Sequence, residues 1–89
     1  MAKINFRQFK LFTDITQERT DTVDVSRAFA DTLYKRGSGI VMHDLALRIY
    51  RSEGEMELTP EEANIIRRSG EQFCTPIFSD SIKANLVEE

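Results

Sequence analysis

Two threonine–proline pairs, Thr59-Pro60 and Thr75-Pro76, limit the folds open to this chain more than any other feature. Proline sets φ close to the helical value and has no N–H to donate, so it suits the first turn of a helix and disrupts one further in. A threonine just before it accepts a hydrogen bond from a first-turn amide that has no partner within the helix. The first pair is the more complete, because Glu62 stands three residues after Thr59 and can return a bond to the threonine backbone as a capping box. A helix is therefore expected to start at Pro60, with Glu61 and Glu62 at the positive end of its dipole and Arg67 and Arg68 nearer the negative end. The second pair opens a last helix in which Phe78, Ile82 and Leu86 fall four apart.

Upstream of Thr59, Met42, Leu45, Ala46, Ile49 and Tyr50 recur at three- and four-residue spacing, which predicts a helix with these residues on its packed face and Asp44, Arg48 and Arg51 turned outward. It should end near Ser52, since Gly54 follows. Gly54 to Leu58 alternates polar and apolar residues and is expected to run extended with Met56 and Leu58 inward. Val25, Ala28, Phe29 and Leu33 mark an earlier helix, with Asp24 or Ser26 as its cap and Gly37 as its stop.

The N-terminal region has a different period. Ile4 and Phe6 alternate, then Phe9 and Leu11 alternate on the opposite parity, so a turn, bulge or new strand belongs near Arg7-Gln8. Polar and turn-forming residues occupy Thr13 to Asp21, and Thr22 to Val25 suits one more short strand. The expected fold is α+β: an N-terminal β-hairpin or small meander in residues 1–24, then about four short helices in residues 25–89, with a frayed tail at Val87-Glu88-Glu89. The chain's 89 residues suffice for one domain with little core to spare.

Composition narrows the chemistry. Fifteen acidic against twelve basic residues leave a net charge of −3, which argues against a protein whose main task is gripping phosphate backbones. The single cysteine, Cys74, cannot form an internal disulfide, and one Cys with one His cannot hold a structural zinc ion. Calcium is discounted as well, because a loop counted from Asp14 has Arg19 at its sixth position, where an EF-hand requires glycine. No phosphate-binding glycine loop or nucleophile elbow is present, so no cofactor is expected. The start, MAKINFRQFKLF, lacks a signal-peptide apolar run, and no stretch reaches membrane-spanning length, which points to the reducing cytosol.

Laid out in this order, the chain resembles small proteins encoded by tailed phages and prophages, most of them without an assigned reaction. The likeness is carried by Lys3-Ile4-Asn5-Phe6, by Ala46-Leu47-Arg48-Ile49-Tyr50, by Gly54 through Glu62 in a G-x-x-x-L-T-x-E-E pattern, and by Pro76 with Leu86 and Glu88. It implies a mobile-element origin and no particular chemistry. The chain departs from the pattern after the first strand, where Arg7-Gln8-Phe9 stands in place of a glycine-containing turn.

Three groups of residues compete as functional candidates. His43 and Cys74 are the chemically reactive side chains, but His43 and its neighbour Asp44 point a quarter-turn apart on a helix, and a lone cytosolic cysteine reads first as a small apolar residue. Arg48, Arg51, Arg67 and Arg68 would form a nucleic-acid-binding patch if their two helices packed antiparallel, although Glu53, Glu55, Glu57, Glu61, Glu62 and Glu71 are interleaved with them. A helix-turn-helix would need a shorter joint than the one from Arg51 to Thr59. Finally, Ile40, Val41, Ile65 and Ile66 broaden their helical stripes beyond one face and, with six phenylalanines, offer apolar side chains for a partner protein or a second copy. The alternative for these is burial between two neighbours within the same monomer. The leading expectation is a non-enzymatic accessory protein that docks on a protein partner or on itself; the alternative is nucleic-acid binding through the arginines.

Overall fold

In the computed structural model, which describes residues 2–88, the elements run β1 (Ala2–Asn5), β2 (Phe9–Phe12), β3 (Thr20–Val23), α1 (Ser26–Arg36), α2 (Gly39–Arg51), β4 (Glu55–Leu58), α3 (Pro60–Phe73), α4 (Pro76–Asn85) and β5 (Val87–Glu88). The class is α+β, as expected, and the N-terminal hairpin is present: β2 and β3 pair antiparallel with Phe9 opposite Val23 and Phe12 opposite Thr20. The first strand is not part of it. β1 is the central strand of a separate sheet, antiparallel to β4 on one side and to β5 on the other. β4 lies where Gly54 to Leu58 was expected to run extended, and one expectation is corrected: the tail at Val87 and Glu88 is a further strand within residues 25–89, pairing with Lys3 and Ala2 instead of fraying; Glu89 lies outside the described residues. The physical reason is that β1, buried at Ala2 and Ile4, has backbone groups on both edges that need partners, and only remote segments are placed to supply them.

The phase change between Phe6 and Phe9 is a turn, and Asn5 makes it without glycine. Its Oδ1 accepts from the backbone N–H of both Arg7 and Gln8, at 3.0 Å each, which satisfies two amides the turn removes from the ladder. The turn sends Phe6, just after β1, and Phe9, at the start of β2, inward, and four rings stack: Phe6 on Phe9 and Phe29, and Phe78 on Phe9 and Phe29, with centroids 5.2–6.0 Å apart. This stack joins the hairpin, α1 and α4. Most of the apparent surplus of phenylalanine is thus internal packing.

The outer edge of β2 is covered by side chains of α4. Asn85 accepts from the Lys10 N–H at 3.0 Å and donates to the Lys10 carbonyl at 2.8 Å, while Ser81 accepts from the Phe12 N–H at 3.0 Å. Two small polar residues thus occupy hydrogen-bonding positions of an absent strand. The close approach of α3 to α4 depends on Gly70, where an added Cβ would stand 2.7 Å from Cδ1 of the fully buried Ile82.

Helix boundaries follow the sequence signals closely. The capping box at Thr59 is complete, with Glu62 N–H donating to Thr59 Oγ1 at 3.1 Å and Thr59 N–H donating to Glu62 Oε1 at 2.9 Å. Thr75 Oγ1 accepts from the Phe78 N–H. At α1 the expected cap is corrected: the N-cap is Val25, which makes no side-chain cap bond, and the Asp24 carboxylate before it accepts from the Ser26 N–H at 3.0 Å and from its hydroxyl at 2.7 Å. Gly37 does end α1, but with an extended backbone; glycine is required because a Cβ would meet the Leu33 carbonyl oxygen at 2.5 Å.

Burial of the Glu62 carboxylate opposes its ionisation, yet the Thr59 amide and the Arg48 guanidinium outweigh that and hold its pKa below the usual carboxylate value. A lowered folded-state pKa contributes stability above the unfolded value, near pH 4.3, that is lost as pH falls through the folded value. Wild type should therefore be more stable than Glu62→Gln at pH 6, with the gap closing progressively below about pH 4.5. Urea unfolding across that range measures it, and a gap independent of pH would show that the carboxylate charge contributes nothing.

Candidate functional site: a tyrosine-walled groove on the first helical pair

The main helix pairings are α1 with α2 and α3 with α4. Leu33, Leu45, Ala46 and Ile49 carry the buried face of the first pair. Ala30 on α1 and Ala46 on α2 are buried as well, and a methyl group fills little of the space between helix axes. The larger residues beside them then stand clear of the contact. Tyr34 on α1 and Tyr50 on α2 are 60% and 50% exposed.

Between them lies a groove of about 500 Å³. Buried Ala30 and Ala46 and half-buried Leu47 line it, with Tyr50 and Arg27 toward one end, Tyr34 toward the other and Asp31 on α1 between them. The volume is in the range of sites that accept a small ligand or a few anchoring side chains. The guanidinium of Arg27 stands 5.8 Å from the Tyr50 ring centroid, within cation–π range, and the rings of Tyr34 and His43 are 5.5 Å apart. Asp31 is paired with Lys35 one turn along α1 at 3.0 Å. The chemistry of this groove is contact: an apolar floor, two aromatic faces and a pair of opposite charges one helical turn apart.

The sequence candidates are distributed differently. Ile40 and Val41 are exposed on the first turn of α2, Ile40 at 82%. Ile66 is 0% exposed and belongs to the core, so it is corrected from a docking residue to a packing residue; Ile65 is half-buried against that core. Both lie on α3 between the sheet end and α4, where a wide apolar stripe meets neighbours within the monomer. Tyr50, expected on the packed face of α2, is also corrected. It lies a quarter-turn from the fully buried Ile49, at the margin of the buried face.

The arginines do not assemble as the nucleic-acid alternative requires. Arg48 forms an ion pair with Glu62 and also donates to the Glu57 carbonyl at 3.3 Å, so it closes the junction between α2, β4 and α3. Arg67 donates to Asn64 Oδ1 at 2.6 Å within α3. Arg51 and Arg68 are exposed on helices that belong to different pairs. Cys74 is half-buried, and burial pushes its thiol pKa up despite the opposing influence of Arg36, the reverse of an activated nucleophile. His43 is exposed beside Tyr34. Among the described residues no three His, Cys, Asp or Glu side chains converge on a metal-sized site, and no helix is long and apolar enough to cross a membrane.

Sequence reasoning missed the groove. Tyr34, Arg27 and Asp31 carried no motif and Leu47 stood only in the Ala46–Tyr50 likeness; the signal that could have found the first three was an outward Arg27-Asp31-Tyr34 row on α1, unusual in placing a large aromatic on a face otherwise charged. Comparison with protein-family models, curated proteins and solved structures found no match.

Proposed function

We propose that this chain is a non-enzymatic protein-interaction module, of the phage or prophage accessory type its sequence pattern resembles, and that it docks protein through the α1–α2 groove. The observation that carries the reading is the pair of half-exposed tyrosines over an alanine floor, with Arg27 against Tyr50. Tyrosine and arginine are the residue types that most often anchor protein interfaces, because each presents a large contact area together with a polar tip. The arginine alternative has less support, since Arg48 is already neutralised by Glu62 and the chain is net acidic.

A photo-cross-linking phenylalanine analogue in place of Tyr34 tests the reading in cells producing the full chain. Illumination should give a protein adduct from position 34 and none from the same probe at the exposed Gln72 on α3. Absence of any protein adduct at position 34, or equal adducts at both positions, would remove the groove as a docking surface.

A further inference from the structure

We infer that the protein occupying the groove is a second copy of this chain, with Ile40 of each copy seated in the groove of the other and the two-fold axis passing between His43 and Asp44. This rests on the docking reading above and commits it to one partner.

The inference begins with the outward stripe of α2. Ile40, His43, Asp44 and Leu47 follow one another at spacings that place them along a single helical row, opposite the buried row of Leu45, Ala46 and Ile49. The row is close to self-complementary when reversed: an apolar residue, a histidine and a carboxylate, then an apolar residue. Two α2 helices laid antiparallel about a dyad between residues 43 and 44 place Ile40 opposite Leu47 of the second copy and His43 opposite its Asp44, and each contact occurs twice. An imidazole against a carboxylate is a matched polar pair, whereas a parallel arrangement in register would set Asp44 against Asp44.

The spacing agrees with the groove. Leu47 lines it, and Ile40 stands two helical turns away, about 10 Å at the rise of an α-helix. A dyad midway carries Ile40 of the second copy to the level of Leu47, between Tyr34 and Tyr50. Each monomer thus holds a protruding aliphatic side chain that nothing in its own fold covers, and an apolar recess that nothing in its own fold fills. The charges around this face alternate in sign, with Arg27, Lys35 and Arg51 against Asp31 and Asp44. Two identical faces therefore do not repel, although the chain as a whole is acidic.

The test combines solution mass with cross-linking of full-length chains. Light scattering over a concentration series should give wild type a mass of twice 10.3 kDa. Ile40→Asp should weaken dimerisation roughly tenfold or more, and its circular dichroism should be unchanged because the side chain is exposed in the monomer. In a Cys74→Ala background, a mixture of Ile40→Cys and Leu47→Cys chains should form a disulfide-linked heterodimer on mild oxidation, whereas either chain alone should cross-link much less. A wild type that stays monomeric, an Ile40→Asp chain that dimerises as well as wild type, or Ile40→Cys chains that link chiefly to themselves would each overturn the inference. A monomeric chain whose position-34 probe captures a different protein overturns this dimer and leaves the docking reading standing; a monomeric chain with no adduct removes both.

Discussion

Phe29→Ala is expected to destabilise the protein by about 3–5 kcal/mol, the range for deleting a buried aromatic ring. Domains of this size have total stabilities of roughly 5–15 kcal/mol, so the variant should lose most of its margin and unfold far more readily. The effect is large because of where the ring sits. Phe29 is 1% exposed and stacks on both Phe6 and Phe78, which in turn contact Phe9. Removing it leaves a void that three flat rings from three different elements cannot close without moving the backbone of the hairpin or of α4. Urea denaturation followed by circular dichroism measures the change. A loss below about 1 kcal/mol, the level of an ordinary point substitution, would mean that the four-ring stack is not the centre of the core.

A matched pair of isoleucine substitutions should differ almost as much. Ile66→Ala is expected to cost about 2–5 kcal/mol, as for other fully buried aliphatic side chains, and Ile40→Ala no more than about 0.5 kcal/mol when both are measured at protein concentrations low enough to keep the chain monomeric. In sequence the two isoleucines look alike, each beside a second β-branched residue at the margin of a helical stripe. In the fold Ile66 is completely enclosed while Ile40 is among the most exposed apolar residues of the chain. Thermal midpoints of the two variants would separate by many degrees. Similar losses for both would contradict the division between core and surface on which the groove depends.

That pair shows where sequence reading reached its limit. Helix starts at Pro60 and Pro76, the ends of α1 and α2, and the inward set of Met56 and Leu58 were all legible, because each rests on interactions within a few residues. The capping box is the clearest case: Thr59 and Glu62 make their two bonds to each other's backbone whatever surrounds them. The phase change at Arg7-Gln8 was legible too, but its mechanism was not. A turn built by the Asn5 side chain leaves the same alternation as one built on glycine.

The groove was illegible for a related reason. Its floor is alanine, which gives no periodic signal stronger than that of any short residue, and its sides come from two helices whose relative placement no local pattern states. The capping of β2 by Asn85 and Ser81 is a similar case, since it links residues at opposite ends of the sequence through two unremarkable side chains.

By itself, then, the sequence determined the α+β class, the number and limits of the helices, and the turn that redirects the chain after β1. These are outcomes of capping, proline geometry and side-chain period, all of which act over a single turn or strand. The tertiary structure alone decided that β1 lies between β4 and β5, that Arg48 closes on Glu62, that Ile66 is enclosed while Ile40 is not, and that two tyrosines flank an open groove. Each of these depends on which surfaces meet after the chain has collapsed, and burial is a property of the neighbour as much as of the residue.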